Sequence, residues 1–193
     1  TKKTTYRLRI REAMAIVGCG WMLVCFLGAL PYLFNGMGLI DSVFESVSGF
    51  TTTGVTTVRS FSEFSNSLLA WRCLTHWFGG IGVIMLFIVI MPQMNSGAGY
   101  LFNAELPGAV AERTLPRIKE SAALIVGIYT GLTVIEIILL MLGGVGFYQA
   151  INLALATMAT GGFSFYHDSL ISFHSIYIEI VCIAFMLIAS MNF

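Results

Sequence analysis

The chain has 193 residues, of which 57% are hydrophobic and 10% charged, against about 45–50% and about 25% in ordinary soluble domains. Lys plus Arg and Asp plus Glu each number 10, so there is no basic footprint for nucleic acid. The composition also excludes a disordered or collagen-like chain, and an all-α integral membrane protein is expected.

Residues 1–12 form a basic lead-in carrying Lys2, Lys3, Arg7, Arg9 and Arg11. Ala13–Phe34 follows without a single Asp, Glu, Lys or Arg, which suits a crossing helix of about 20 residues. A signal peptide would share the basic flank, but its apolar region is only about 7–15 residues long. Further apolar runs occupy Cys73–Met91, Ser121–Phe147 (interrupted by Glu136) and His174–Phe193 (with Glu179 near its start). Four spans are therefore expected. Cys19, Cys25, Cys73 and Cys182 lie inside such runs, at spacings that fit neither zinc nor disulfides, and read as small core residues. The chain begins at Thr1 and stops inside an apolar run, so flanking sequence is expected.

Cationic residues concentrate in 2–11 and again at Arg113, Arg117 and Lys119, whereas 35–70 and 148–173 together hold only Arg59. Lys and Arg favour short cytoplasmic loops. Residues 1–12 and 92–120 are thus assigned to the cytoplasm, and the other two connections to the outside. Each outward connection opens on a short apolar stretch, Asp41–Phe50 and Phe147–Met158. Both are too short to span and suit a re-entrant half-helix. Thr51-Thr52-Thr53-Gly54-Val55 follows the first, and Ala159-Thr160-Gly161-Gly162-Phe163 the second.

A shift of 108 positions brings Thr52 onto Thr160, Gly54 onto Gly162 and Val55 onto Phe163, and Gly54 precedes Trp71 by the same 17 positions that separate Gly162 from Glu179. The chain therefore divides into a first helix–loop–helix repeat at 13–91, a cytoplasmic connection at 92–120 and a second repeat at 121–193. Repeats in membrane proteins place functional sites where they meet. Thr-Gly pairs are ordinary turn residues. Two of them, each between a half-helix and a returning span, point to a cation pore. Backbone carbonyls can replace an ion's water shell without burying full negative charge, Gly permits the backbone needed to aim them, and a half-helix directs its negative C-terminal end at the ion.

The same residues resemble a known group. Phe44-Glu45-Ser46 with Gly49-Phe50-Thr51-Thr52-Thr53-Gly54 is similar to the first pore loop of the Trk/Ktr/HKT superfamily of potassium transporters. Trp71-Arg72 with His76-Trp77-Phe78-Gly79-Gly80-Ile81-Gly82 resembles the next helix of the bacterial Trk-type membrane subunit. Leu101–Gly108 with Pro116-Arg117-Ile118 resembles its cytoplasmic connection, and Ala159–Ser164 its second pore loop. The resemblance runs from about Arg11 onward. It implies four helix–pore-loop–helix units around one pore, of which this sequence holds two. It also implies a K⁺ filter with backbone from Thr52, Thr53, Gly54 and Val55 and from Thr160, Gly161, Gly162 and Phe163, with K⁺ held through Thr52, Thr53, Thr160 and Gly161. Ser in place of Gly54 goes with sodium preference in the plant branch, so Gly54 points to potassium. Implied partners are K⁺, membrane lipid, a second copy in a homodimer and a cytoplasmic nucleotide-binding regulatory ring subunit (TrkA-like), in the bacterial inner membrane. No organic cofactor is implied.

Three supporting residues stand out. Glu136 lies mid-span, where an acid is a functional candidate by default; lining an ion path and bonding a neighbouring helix are both open. Glu45, on the first half-helix, attracts cations or braces the loop, bracing being favoured. Arg72 bonds loop carbonyls or snorkels to the interface. Asp41 and Asp168 either collect cations weakly or form a solvated mouth, and His76, His167 and His174 are not grouped with carboxylates or Cys at metal-ligand spacing. Gly79, Gly80, Gly82 and the pair Gly127 and Gly131 read as sites of close helix approach. The reading is K⁺ uptake, not enzymatic catalysis, since no nucleophile–base pair can be argued. The alternatives are a secondary carrier for Na⁺ or another solute with a broken-helix site, and a non-transporting scaffold.

Overall fold

The computed structural model describes residues 10–58, 61, 64–94, 111–165 and 169–191. Arg59, His167, Asp168, the first nine residues and the Leu101–Gly108 motif lie outside the described residues. Among the described residues the structure is all-helical. The helices are α1 (Ile10–Gly28), α2 (Leu30–Phe34), α3 (Leu39–Phe50), α4 (Asn66–Met94), α5 (Ala111–Leu142), α6 (Phe147–Met158) and α7 (Ile176–Ser190), with a 3-10 turn at Ser169–Phe173 before α7.

Among the described residues three stretches are long and apolar enough to cross a membrane: Met14–Phe34, Asn66–Leu86 and Glu120–Leu142. The first joins α1 and α2 across a one-residue break at Ala29, beyond which Pro31 sits in the first turn of α2, where its missing N–H costs nothing. The fourth expected span is a 15-residue apolar helix, α7, shorter than a full crossing. His174 and Ser175 precede this helix as left-handed and extended backbone, and residues 192–193 lie outside the described residues. α4 begins ahead of its apolar run because Ser65 caps it, its hydroxyl accepting the Leu68 N–H at 3.3 Å. α5 likewise starts at Ala111, well before Ser121.

The repeat is written into the backbone. α2 ends on Gly36 at φ 87° and α5 on Gly144 at φ 88°. The amide of Met37 bonds the Tyr32 carbonyl at 3.2 Å and that of Gly36 the Leu33 carbonyl at 3.0 Å; Val145 to Leu140 at 3.1 Å and Gly144 to Met141 at 3.0 Å repeat the pattern. This paired closure around a left-handed glycine ends both helices. The next residues turn through Gly38 (φ −58°, ψ 151°) and Gly146 (φ −60°, ψ 146°) into α3 and α6. Each of these positions is displaced by the 108 residues read from the sequence. The register slips in the return segment: α4 starts at Asn66 and α7 at Ile176, so Trp71 and Glu179 occupy different turns of their helices.

α4 packs against both half-helices, and α5 and α7 enclose α6. The larger core surrounds α6, built from Tyr129, Leu140, Ala150, Ala154, Met158 and Phe185 among others. A smaller cluster of Cys73, Leu155, Ala156 and Phe163 joins the two repeats. Close approach is realised at Gly79, where a Cβ would strike the Phe50 carbonyl oxygen, at Gly80 against the Tyr129 hydroxyl (2.6 Å) and at Gly82 against the Trp21 ring (3.0 Å). Gly127 and Gly131 have nothing within 4 Å, so the approach expected there does not occur among the described residues. Both are exposed.

Candidate functional site

Both half-helices end in the same way, and not with the residue that usually ends a helix. Thr52 has φ 54° and Thr160 φ 51°. The Thr52 amide bonds the Gly49 carbonyl at 3.0 Å and the Thr53 amide the Ser48 carbonyl at 3.0 Å. The Thr160 amide bonds Thr157 at 2.8 Å and the Gly161 amide Ala156 at 3.0 Å. This is the closure seen at Gly36 and Gly144, now with a β-branched residue in the left-handed position, at a cost of roughly 1–2 kcal/mol per residue. Backbone strain of this kind persists only where surrounding contacts enforce it and collects at functional sites. Two residues on, Gly54 (φ 75°) and Gly162 (φ 84°) are left-handed again, while the intervening Thr53 and Gly161 are not.

The two loops touch. A Cβ on Gly54 would run into the carbonyl oxygen of Gly161. Beside the contact opens a cavity of about 520 Å³, lined by Gly54, Thr56, Arg72, Gly162, Phe163 and Ser164 among others. Of the expected filter residues, the contact brings Gly54 onto Gly161, and Gly54, Gly162 and Phe163 share the cavity wall. The hydroxyls of Thr51 and Thr53 lie 2.8 Å apart. The Val55 carbonyl accepts the Ser48 hydroxyl at 2.5 Å, which ties the end of the first loop back to its half-helix.

Glu45 is fully buried. Its Oε1 accepts the Thr56 hydroxyl at 2.6 Å and the Thr57 amide at 2.7 Å, and its Oε2 accepts Arg72 Nε at 3.1 Å, with Arg72 Nη2 also 3.1 Å away. Arg72 Nη2 donates in addition to the Thr56 hydroxyl at 3.0 Å. Among the described residues Arg72 is therefore bonded to side chains and not to loop carbonyls, and it does not snorkel. It is 2% exposed, and its fork is taken up by a carboxylate that needs a cation to be buried at all. Asp41 is exposed at the start of α3. Glu136 is fully buried on α5 near Tyr129, Thr157 and Cys182, and neither of its oxygens makes a hydrogen bond of ordinary geometry. No group of three His, Cys, Asp or Glu at metal-binding distance exists among the described residues.

Ser48, Thr56, Thr57 and His76 are the participants that sequence reasoning missed. The adjacent threonines after Val55 were the available signal for the brace, and the one-turn spacing of Arg72 and His76 on α4 was the signal for a shared face.

The sequence matches the TrkH cation transport protein family over residues 1–193. The chain belongs to the TrkH family. It is 36% identical over 196 residues to the Trk system potassium uptake protein TrkH of Escherichia coli (strain K12), covering 100% of this chain and 41% of that protein. It is 35% identical over 190 residues to the protein of that name from Halomonas elongata, covering 96% and 39% respectively. The crystal structure of the potassium transporter TrkH from Vibrio parahaemolyticus superimposes with a TM-score of 0.83 at 31% identity, over 100% of this chain and 39% of that one. The chain thus spans about two fifths of the length of the TrkH relatives it matches. The family assignment and the apolar helices make it a multi-pass membrane protein built of helix–pore-loop–helix repeats.

Proposed function

We propose that this protein takes up K⁺ across the bacterial cytoplasmic membrane through a filter of backbone carbonyls to which these two loops contribute. The observation that carries the reading is the matched backbone of two touching loops: left-handed at Thr52 and Gly54, and left-handed at Thr160 and Gly162. A chain that alternates handedness turns successive carbonyls to one side, where they can stand in for water around a dehydrated cation. Carbonyls of Thr52, Thr53 and Gly54, and of Thr160, Gly161 and Gly162, are the proposed ligands, with K⁺ held mainly through Thr52, Thr53, Thr160 and Gly161. Val55 and Phe163 anchor the loop ends. Both half-helices direct their C-terminal ends at the loops, adding favourable dipoles. The return segment is braced by Glu45 and Arg72.

In this reading residues 1–12 and 92–120 are cytoplasmic and the loops face outward, so the membrane potential drives entry with roughly 2.3 kcal/mol per charge per 100 mV. The repeats are units at 13–91 and 121–193, and the ring around the ion is completed by further units of the same kind. A homodimer and a nucleotide-binding regulatory ring on the cytoplasmic face are the proposed partners, supported by the family alone. The names of the relatives support K⁺ as the cargo. The test is Gly54→Ser in the full-length protein, with K⁺ and Na⁺ uptake measured in cells lacking their own K⁺ uptake. The added side chain meets the Gly161 carbonyl, so the K⁺ over Na⁺ ratio should fall about tenfold or more, equivalent to about 1.4 kcal/mol. An unchanged ratio at normal abundance would remove Gly54 from the filter.

A further inference from the structure

We propose that Arg72 and His76, one turn apart on α4, clamp the Phe163 ring between them and thereby set the second filter loop against the first. They act as positioning residues for cation selection, not as ion ligands. The inference rests on the filter reading above and adds what holds the two loops in mutual register.

Phe163 is 4% exposed although it belongs to a loop lining an open cavity. The His76 ring stacks on it with centroids 4.0 Å apart and planes at 16°. The Arg72 guanidinium carbon lies 4.1 Å from the centroid of the same ring, an attractive placement of a buried cation over an aromatic face. That guanidinium also holds Glu45 and Thr56 of the first repeat. One side chain therefore grips the brace of the first loop and the anchor of the second.

His76 makes a second contact with the loop. A Cβ on Gly161 would overlap the His76 ring at Nδ1, so the imidazole lies flat against the loop backbone two residues before the ring it stacks on. His76 is fully buried, and neither nitrogen makes a hydrogen bond of ordinary geometry. Its polar interaction is with the Ser48 backbone, and its flat ring surface is what meets Phe163 and Gly161 of the second loop. Val55, at the matching place in the first loop, is 53% exposed. The clamp thus acts across the repeat boundary, from the return helix of the first unit onto the loop of the second.

The experiment compares His76→Ala, His76→Phe and Phe163→Leu with Gly54→Ser in the full-length protein, reading abundance in the membrane, apparent KM for K⁺ and the K⁺ over Na⁺ uptake ratio. His76→Ala is expected to raise the KM and lower the ratio at least threefold at unchanged abundance. His76→Phe, which keeps a flat ring on Phe163, is expected to restore both. Should His76→Ala fail to accumulate, Phe163→Leu removes the other half of the stack and must shift the ratio in the same direction. An unchanged ratio in the accumulating variant, or failure of His76→Phe to rescue it, overturns the clamp. If Gly54→Ser shifts selectivity while His76→Ala does not, the clamp falls alone. If Gly54→Ser has no effect, the filter reading itself falls.

Discussion

Replacing Arg72 with Met removes the cation that lets Glu45 be buried. Glu45 is 0% exposed and Arg72 2%, so solvent screening does not dilute the effect. The carboxylate keeps two donors, the Thr56 hydroxyl at 2.6 Å and the Thr57 amide at 2.7 Å, but loses its counter-charge at 3.1 Å. Removing one partner of a buried pair costs about 3–5 kcal/mol, mostly because the other charge stays buried and unpaired. Glu45→Gln leaves Arg72 buried without a carboxylate and should cost a similar amount. The double variant Glu45→Gln with Arg72→Met carries no buried charge. Its loss should fall short of the sum of the single losses by about 1–3 kcal/mol. The assay is the apparent melting temperature of the purified full-length protein and its three variants in one detergent, treated as a double-mutant cycle. Losses that add to within about 0.5 kcal/mol would refute the pairing, as would an Arg72→Met protein that melts with the wild type.

Two further outcomes test the packing behind the site. Gly79→Ala places a methyl group against the Phe50 carbonyl, where only backbone can yield. It should lower stability by about 1–3 kcal/mol, whereas Gly127→Ala and Gly131→Ala, with open space around them, should be neutral or gain up to about 1 kcal/mol each; equal losses at all three would refute this placement when melting temperatures are compared. Glu136→Leu removes a buried carboxyl whose oxygens have no ordinary hydrogen bond and should hold or raise the melting temperature, since an unsatisfied buried polar group costs about 1–3 kcal/mol; a clear fall would show that Glu136 bonds another element.

Much of the architecture was legible because it rests on local physics. Apolar length marks a crossing helix, and the short stretches after Gly38 and Gly146 mark α3 and α6. The 108-residue displacement follows from matching turn residues, and the glycines at 36, 54, 144 and 162 all take left-handed backbone. Glycine is the residue that does so without strain, so its spacing carries the repeat. The threonines of the two loops gave no such signal. Nothing in a Thr announces a left-handed φ, and Thr52 and Thr160 adopt one because a packed half-helix must close its last turn and send the chain back at once.

Tertiary structure alone decided the partnerships. Glu45 and Arg72 are 27 positions apart, and the sequence offered Arg72 a snorkelling role that burial in the helix interface replaced. Gly127 and Gly131 have the spacing of a packing motif, yet the rotation of α5 turns them outward, while Gly79, Gly80 and Gly82 meet neighbours. The sequence excluded His76 only from a metal site, and its stacking on Phe163 joins it to the other repeat. Hydrophobic length and turn chemistry act within a few residues and can be read along a chain. Which side chains meet depends on the rotation and crossing of whole helices, which no local pattern specifies.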